Sequence, residues 1–316
     1  MSDRLIIIGA GMAGLLAGNM MRRTPLQIVE RQSKLPNNHH AVLRFRTTKV
    51  SEQLHVPFRP VQVFKSIDQL DPVRASMSYS HKVTGGYEVR SLIDLTPSQR
   101  YIAPPNLISL MAEGLDIAFG VDGLAYCAPE KRDEMGMSPI ISTLPMGLLM
   151  DALEYDGPRP EFDFIKGYSV KAKILNCDYF ATRYYSSPDP YKQLYRASIT
   201  GDELILEYIG EPPFLLADTY NEVLPIAHDF GIVIEDIYDV VGPKPYKYAK
   251  IAKLSEEDRR HAMAFMHWAT VNWQIFSLGR FAKWEAGLLL DDLVQDVLKI
   301  ERWIKGSGYD IKKDMK

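Results

Sequence analysis

Arg4-Leu5-Ile6-Ile7-Ile8-Gly9-Ala10-Gly11-Met12-Ala13-Gly14, followed by Leu26-Gln27-Ile28-Val29-Glu30, is the stretch that decides the fold. Leu5 to Ile8 is an apolar, β-branched run and reads as a buried strand that stops at Gly9. Residues 12 to about 23 are rich in Ala, Leu and Met and predict a helix, which Pro25 ends. A second apolar strand closes on Glu30. The result is a βαβ opening with G-x-G-x-x-G at its strand-to-helix turn.

Each glycine has an expected task. Gly9 makes the tight turn, Gly11 lets the backbone approach a pyrophosphate, and Gly14 lets the helix pack close to the strand. Met12 and Ala13 open the helix, whose N-terminal N–H groups and partial positive charge suit phosphates. Glu30 stands about twenty residues on, where a carboxylate accepts from both ribose hydroxyls and repels a 2′-phosphate. Arg31 follows it.

Bulk composition narrows the alternatives. The 316 residues allow one large or two ordinary domains, and 46% hydrophobic residues suffice for a core. A formal charge of −3 gives no global basic field, so composition does not argue for nucleic acid or a membrane surface. Cys127 and Cys177 are far apart, with no C-x-x-C, so neither a disulfide framework nor a thiolate metal site is indicated. No apolar run approaches the ~18 residues of a bilayer span, and no signal peptide is visible. Cytoplasmic residence is the expectation.

Downstream, Ala41 to Arg46 alternates and predicts an extended segment with Arg44 and Arg46 on one face. The two arginines read either as phosphate ligands or as a solvated strand face. His39 and His40 are adjacent rather than at ligand spacing, and no metal site is expected. Residues 51–104 look like an insertion, with a strand within Val83–Ile93 turning at Gly85-Gly86. A short helix is expected over Asn106–Glu113, with Asn106 as cap. The apolar pieces 116–121 and 124–127 are expected to complete the nucleotide sheet, with Val121 against an adenine. Ile140-Ile141 is a buried strand running through a small-residue turn into an apolar helix, 146–153.

Residues 160–240 change texture. Segments 169–175, 179–185, 195–199 and 203–208 alternate, with a hairpin turn at Thr200-Gly201-Asp202. They predict an antiparallel sheet with a polar, tyrosine-rich face suited to a substrate wall. Arg183 and Arg196 are candidates to clamp a carboxylate or phosphate there, with Tyr184 or Tyr195 lining the pocket. Ser255 begins a capped helix running to about Trp268, a strand is expected over 273–278, and 289–304 is amphipathic. Asp291 and Asp292, in the first turn of that last helix, either complement its dipole or mark an N-terminus that faces a cofactor.

These pieces resemble the FAD-dependent oxidoreductases of the glutathione-reductase-like fold. The opening G-A-G-M-A-G-L-L-A-G with Val29-Glu30-Arg31 carries the resemblance. Ile141-Ser142-Thr143-Leu144-Pro145 is similar to the I-S-T-x-P turn of the amine-oxidase and UDP-galactopyranose-mutase branch. Gly279-Arg280-Phe281-Ala282-Lys283-Trp284, followed by Leu290-Asp291-Asp292, resembles that branch's C-terminal flavin motif. The resemblance implies FAD as cofactor and Gly279, Arg280, Trp284, Leu290 and Asp291 among the residues that meet it. It implies an α/β protein with two parts. One is a discontinuous Rossmann-like FAD domain (1–50, 105–155 and 250–305). The other is an antiparallel-sheet substrate domain (156–249) beside the 51–104 insertion.

No second G-x-G-x-x-G stands in the chain, so a separate nicotinamide domain is not expected. The expected reaction is oxidation of a C–N bond in an amine or amino-acid-like group, with Arg183, Tyr195 and Arg196 as candidate catalytic residues. Small phage-encoded FAD lyases and oxidases of DNA hypermodification are a further similarity, which would make the substrate an amino-acid-modified nucleotide. A redox-neutral enzyme of the mutase type and a non-catalytic flavin-binding module are the competing readings.

Overall fold

A computed structural model describes residues 4–35, 44–89, 94–187, 193–212 and 219–306. The strands are, in order, β1 (Leu5–Ile8), β2 (Leu26–Glu30), β3 (Arg44–Phe45), β4 (Arg59–Ile67), β5 (Ser98–Ile102), β6 (Ile117–Phe119), β7 (Ile140–Ser142), β8 (Phe164–Ile174), β9 (Tyr179–Tyr184), β10 (Leu194–Gly201), β11 (Glu203–Ile209), β12 (Ile237–Ile251) and β13 (Ile275–Ser277). The helices are α1 (Met12–Met20), α2 (Lys49–Leu54), α3 (Pro72–Thr84), α4 (Leu107–Ala112), α5 (Pro129–Glu134), α6 (Met146–Ala152), α7 (Thr219–His228), α8 (Glu256–Trp273), α9 (Arg280–Lys283) and α10 (Leu290–Ile304). The chain forms two compact units: residues 1–59, 101–162 and 254–316, and residues 60–100 and 163–253.

The first unit is built on a parallel sheet ordered β13-β7-β1-β2-β6. β1 lies at its centre and is buried along its whole length, which is why its sequence is continuously apolar rather than alternating. Leu5 to Ile8 pair with Leu26 to Val29 on one side, and Ile6 to Ile8 with Ile140 to Ser142 on the other. The chain therefore leaves β1 in opposite directions across the sheet, and the crevice at the carboxyl ends of β1 and β7 is where such sheets bind ligands. One core joins Leu15 and Leu16 of α1 to Ile7, Ile141 and Phe276 and to Val294 and Val297 of α10.

The second unit holds an antiparallel sheet in which β12, β8, β11, β10 and β9 are successive neighbours. On one face Val170, Ala172, Ala197, Ile199, Leu204 and Leu206 pack against Val223 and Ala227 of α7. The expected tyrosine-rich polar face is divided in fact: Tyr168 and Tyr208 stack with centroids 4.5 Å apart in the apolar core beneath α7. On the other face Tyr195 packs with Tyr79 and Val83 of α3.

Several expectations are corrected. Val83 belongs to α3 and not to a strand. Asp71 caps that helix by accepting from the Val73 and Arg74 amides, Pro72 opens it, and Ala75, Tyr79 and Val83 recur every fourth residue on its buried face. Gly85, at φ +76°, ends it in the left-handed conformation that suits glycine. Residues 124–126 form part of a 3-10 turn, with Gly123 pressed against Ile8. α8 runs to Trp273, five residues past the expected end, so Trp273 is helical and β13 starts at Ile275. Asn106 occupies the cap position of α4 without a side-chain hydrogen bond. The paired histidines His39 and His40, and Ala41 to Leu43, lie outside the described residues.

Among the described residues no cluster of metal-ligating side chains occurs, and no helix is long and apolar enough to cross a membrane. Cys127 is fully buried, and burial pushes its thiol up to about 12, against the opposing pull of Arg132. The thiolate is the nucleophile, so Cys127 is inert in the native state. A disulfide reagent at pH 8 should titrate at most one thiol, the half-buried Cys177, until denaturant exposes the second. Rapid reaction of two thiols in the native protein would contradict this.

Candidate functional site

The site begins where β1 stops. Gly9 takes φ +97°, and its N–H donates to the Val29 carbonyl at 2.8 Å. A Cβ on Gly9 would overlap the Thr143 hydroxyl, and one on Gly14 would overlap the Gly9 carbonyl oxygen. The protein's own packing thus requires both glycines. Gly11 is different. Its backbone is extended (φ −73°, ψ 175°), and a Cβ there would meet no atom of the described residues within 4 Å. Among the described residues no steric contact requires a glycine at this position, whereas close approach of a ligand to its backbone does.

Gly11 also stands at the N-cap of α1, which has no side-chain cap and no acidic residue in its first turn. Among the described residues no protein acceptor meets the Met12 or Ala13 amides. A helix start in that condition has the donors and the dipole for an anion. Glu30 ends β2 beside it. Its Oε2 accepts from the Ala10 amide at 2.8 Å and its Oε1 from the Gln32 amide at 2.9 Å. These bonds fix the carboxylate and use about two of its roughly four acceptor positions, leaving capacity for ribose hydroxyls. Arg31 is exposed. Val121 follows β6, and its N–H donates to the Glu30 carbonyl at 3.0 Å, so it is tied to the end of β2.

Two distant segments meet this turn. Thr143 secures the β1 end, with its N–H and its hydroxyl both donating to the Ile8 carbonyl, at 3.1 and 2.7 Å. Leu278 donates to the Ser142 carbonyl at 2.9 Å, which brings the following Gly279 against α1: a Cβ on Gly279 would lie 3.1 Å from that of Ala13. Gly279 is at φ +97°. Arg280, next to it, holds the segment closed by donating through Nη2 to the Leu288 carbonyl at 3.0 Å. Trp284 is buried, in the left-handed conformation at φ +50°, with the Phe162 ring 4.5 Å away. Leu290 packs into the same core as Met12 and Ala13.

Asp291 is 6% exposed. Its carboxylate accepts from the Arg46 amide at 2.9 Å, the Thr47 amide at 3.3 Å and the Thr47 hydroxyl at 2.7 Å. Its geometry thus serves the chain just after β3, and Asp292 supplies the cap of α10 by accepting from the Leu289 amide at 2.9 Å. Arg44 lies in β3, paired with Ile102. Thr47 stands in no motif, and the I-S-T-x-P turn that contains Thr143 assigns it no task of its own; their partners are 244 and 135 residues away in sequence.

In the second unit the candidate catalytic residues separate. Arg183 pairs with Ala197 and Arg196 with Tyr184 in adjacent rungs of β9 and β10, so the two arginines point to opposite faces. Arg183 is engaged by Asp229 at 3.2 Å. Arg196 makes a two-pronged pair with Glu207: Nε meets Oε2, and Nη2 meets Oε1 at 2.7 Å. An irregularity between Leu194 and Arg196 inserts Tyr195 as an extra residue opposite β11 and turns its side chain onto the Arg196 side. The Tyr195 hydroxyl therefore donates to the same carboxylate at 2.8 Å. Burial, then Glu207, pushes this phenol well above its ordinary value, so it stays protonated at neutral pH and acts as a donor, not a base. Glu207 is a residue that sequence reading passed over. Its only signal is an acid in the alternating run Glu203 to Tyr208.

No protein-family model and no curated protein matches this chain. Solved structures do. Reduced UDP-galactopyranose mutase superposes with a TM-score of 0.66 at 12% identity, over 99% of each chain. Putrescine oxidase bound to putrescine gives 0.60 at 10% identity, over 96% of this chain and 99% of that one. Glycine oxidase from Bacillus cereus gives 0.54 at 12% identity, over 99% and 97%. At such identities the likeness concerns the fold: the chain has the Rossmann-like α/β architecture of these flavoenzymes along its full length.

Proposed function

We propose that this chain is an FAD-dependent oxidoreductase that oxidises a C–N bond of an amine or amino-acid-like group, carried by a small molecule or by an amino-acid-modified nucleotide. The observation that carries the cofactor is Gly11, a glycine that no packing contact among the described residues requires, set at a helix start with no side-chain cap. The flavoenzyme fold and the three quoted motifs support the same reading.

The chain's residues divide the work. The Gly11, Met12 and Ala13 backbone would hold the pyrophosphate, Glu30 the adenosine ribose, and the Val121 segment the adenine. Gly279 to Trp284 and Asp291-braced Thr47 would shape the rest of the cofactor's bed. A bound flavin would supply hydride acceptance from the C–H beside the nitrogen, the nitrogen giving up a proton as the C–N bond becomes an imine; water would hydrolyse the imine, and O₂ would take the electron pair from the reduced flavin and leave as hydrogen peroxide. The protein contributes position and field. Absence of a second dinucleotide fingerprint supports turnover without a nicotinamide.

The purified protein should be yellow, and a substrate amine should bleach it without oxygen and drive O₂ uptake in air. A flavin that dithionite reduces but no amine or amino acid reduces would remove the C–N reading. The mutase's likeness across the whole chain supports a second reading, redox-neutral flavin chemistry. It requires prior reduction for turnover and consumes no oxygen, so the same cuvette separates the two.

A further inference from the structure

The second unit carries an open groove of about 570 Å³ at the end of α7. α7 contributes Leu224, Pro225 and His228 to its lining, and the segment that leads into β12 contributes Val233, Ile234 and Glu235. Val233 and Ile234 are 56% and 51% exposed, although side chains of this type favour burial. Adjacent aliphatic side chains left half bare in a groove are what a docking surface presents.

The charge around the groove is one-sided. Residues 197–243 contain ten Asp and Glu and no Lys or Arg, and His228 is the one residue there that can turn cationic. Asp202, Glu203, Glu207, Glu211 and Asp229 are offset by Lys173, Lys171, Arg196, Lys166 and Arg183, all from outside that stretch. Asp218 lies outside the described residues. The other four, Glu222, Glu235, Asp236 and Asp239, make no ion pair among the described residues. They are the four that flank the groove. Glu235 lines it, Asp236 and Asp239 follow directly, and Glu222 stands one turn before Pro225 on the exposed side of α7.

We propose that this groove docks a basic amphipathic helix of a protein partner, with apolar side chains against Val233 and Ile234 and Lys or Arg against the acidic rim. The occupant follows from charge and shape. A second copy of this chain placed groove to groove would set carboxylate against carboxylate, which opposes association, and an anionic lipid surface is repelled for the same reason. An extended peptide would need the free edge of β12, which ends the sheet among the described residues. Pro243 and Pro245 lack the N–H that edge pairing uses, and shifts of register after Tyr238 and Val241 break the strand's regularity. Side-chain recognition in a groove remains, with helix anchors at i, i+3 or i+4 and i+7. The proposal is independent of what the flavin site oxidises.

The probe is a fluorescent helical peptide of about five turns, with leucine at i, i+4, i+7 and i+11 and lysine elsewhere. Anisotropy against the full-length protein as purified should show one saturable site, weakened as salt rises from about 50 to about 500 mM. V233S, which removes apolar contact, and E235K/D239K, which inverts the rim, should each weaken it about ten-fold. Both change exposed positions and should keep the wild-type melting temperature. No saturable binding, equal binding of a scrambled peptide of the same composition, or binding that neither variant changes overturns the proposal. A dimer in sedimentation that V233S dissociates, or tighter binding of an alternating, strand-forming basic peptide, overturns it in favour of another occupant. The two proposals fail separately. Peptide binding in a protein whose flavin no amine reduces ends C–N oxidation and leaves the docking groove. Loss of peptide binding with amine reduction intact does the reverse.

Discussion

Replacing Gly11 by valine should yield a folded, thermally normal and colourless protein. The backbone at Gly11 is extended, a conformation every residue adopts, and a Cβ there meets nothing within 4 Å among the described residues. The cost to the fold is confined to a poorer helix cap, about 1 kcal/mol. The cost to FAD is steric: the branched side chain stands where the pyrophosphate must touch backbone. Gly14→Ala should give the opposite result. Its methyl overlaps the Gly9 carbonyl oxygen, so the helix must shift off the strand, at about 2 kcal/mol or more. Gly9→Ala adds a left-handed φ of +97° to a clash with Thr143 and should be worse still. Melting temperature and flavin absorbance per mole of protein read the two properties independently. A yellow G11V with wild-type FAD content would sink the pyrophosphate assignment.

Glu207→Gln should cost about 2 kcal/mol of stability. Removing one member of a fully buried pair costs about 3–5 kcal/mol, because the other charge is left unpaired. Here the side chains of Arg196 and Glu207 are 29% and 16% exposed, so solvent screens part of that cost. The double variant E207Q/R196M should be less destabilised than the sum of the singles, since no orphaned charge remains. A pH dependence accompanies it. Burial pushes the Glu207 carboxyl up, but Arg196, the Arg196 hydrogen bonds and Lys250 outweigh burial and hold it below its ordinary value of 4.5. A carboxylate lowered on folding stabilises fully above the unfolded value and loses that contribution as pH falls through the folded one. The stability gap between wild type and E207Q should therefore be constant near neutrality and shrink below pH 4.5. A gap independent of pH down to acid unfolding would show that the cost of E207Q does not come from the charge of Glu207.

The local rules of one chain segment were enough to determine the opening of this protein. A continuous apolar run, a glycine turn, a helix stopped by Pro25 and an acid at Glu30 give βαβ because strand burial, turn conformation and helix capping act within about thirty residues. The strand expected at residues 273 and 83 gives way to helix because their apolar character fits both periods. Contacts elsewhere decided between them, in Val83's case packing with Tyr195, more than a hundred residues away. The arginines show the same limit in the site. Sequence put Arg183 and Arg196 on neighbouring strands, but their faces depend on register and a bulge, and their availability on where Asp229 and Glu207 fall. The motif already assigns Gly9, Gly11 and Gly14 different tasks; the tertiary structure adds what a side chain at each would touch, the Thr143 hydroxyl at Gly9, the Gly9 carbonyl oxygen at Gly14 and, among the described residues, nothing at Gly11. Pattern along the chain fixes which element forms; the space around a residue, built from partners far away in sequence, fixes what that residue is for.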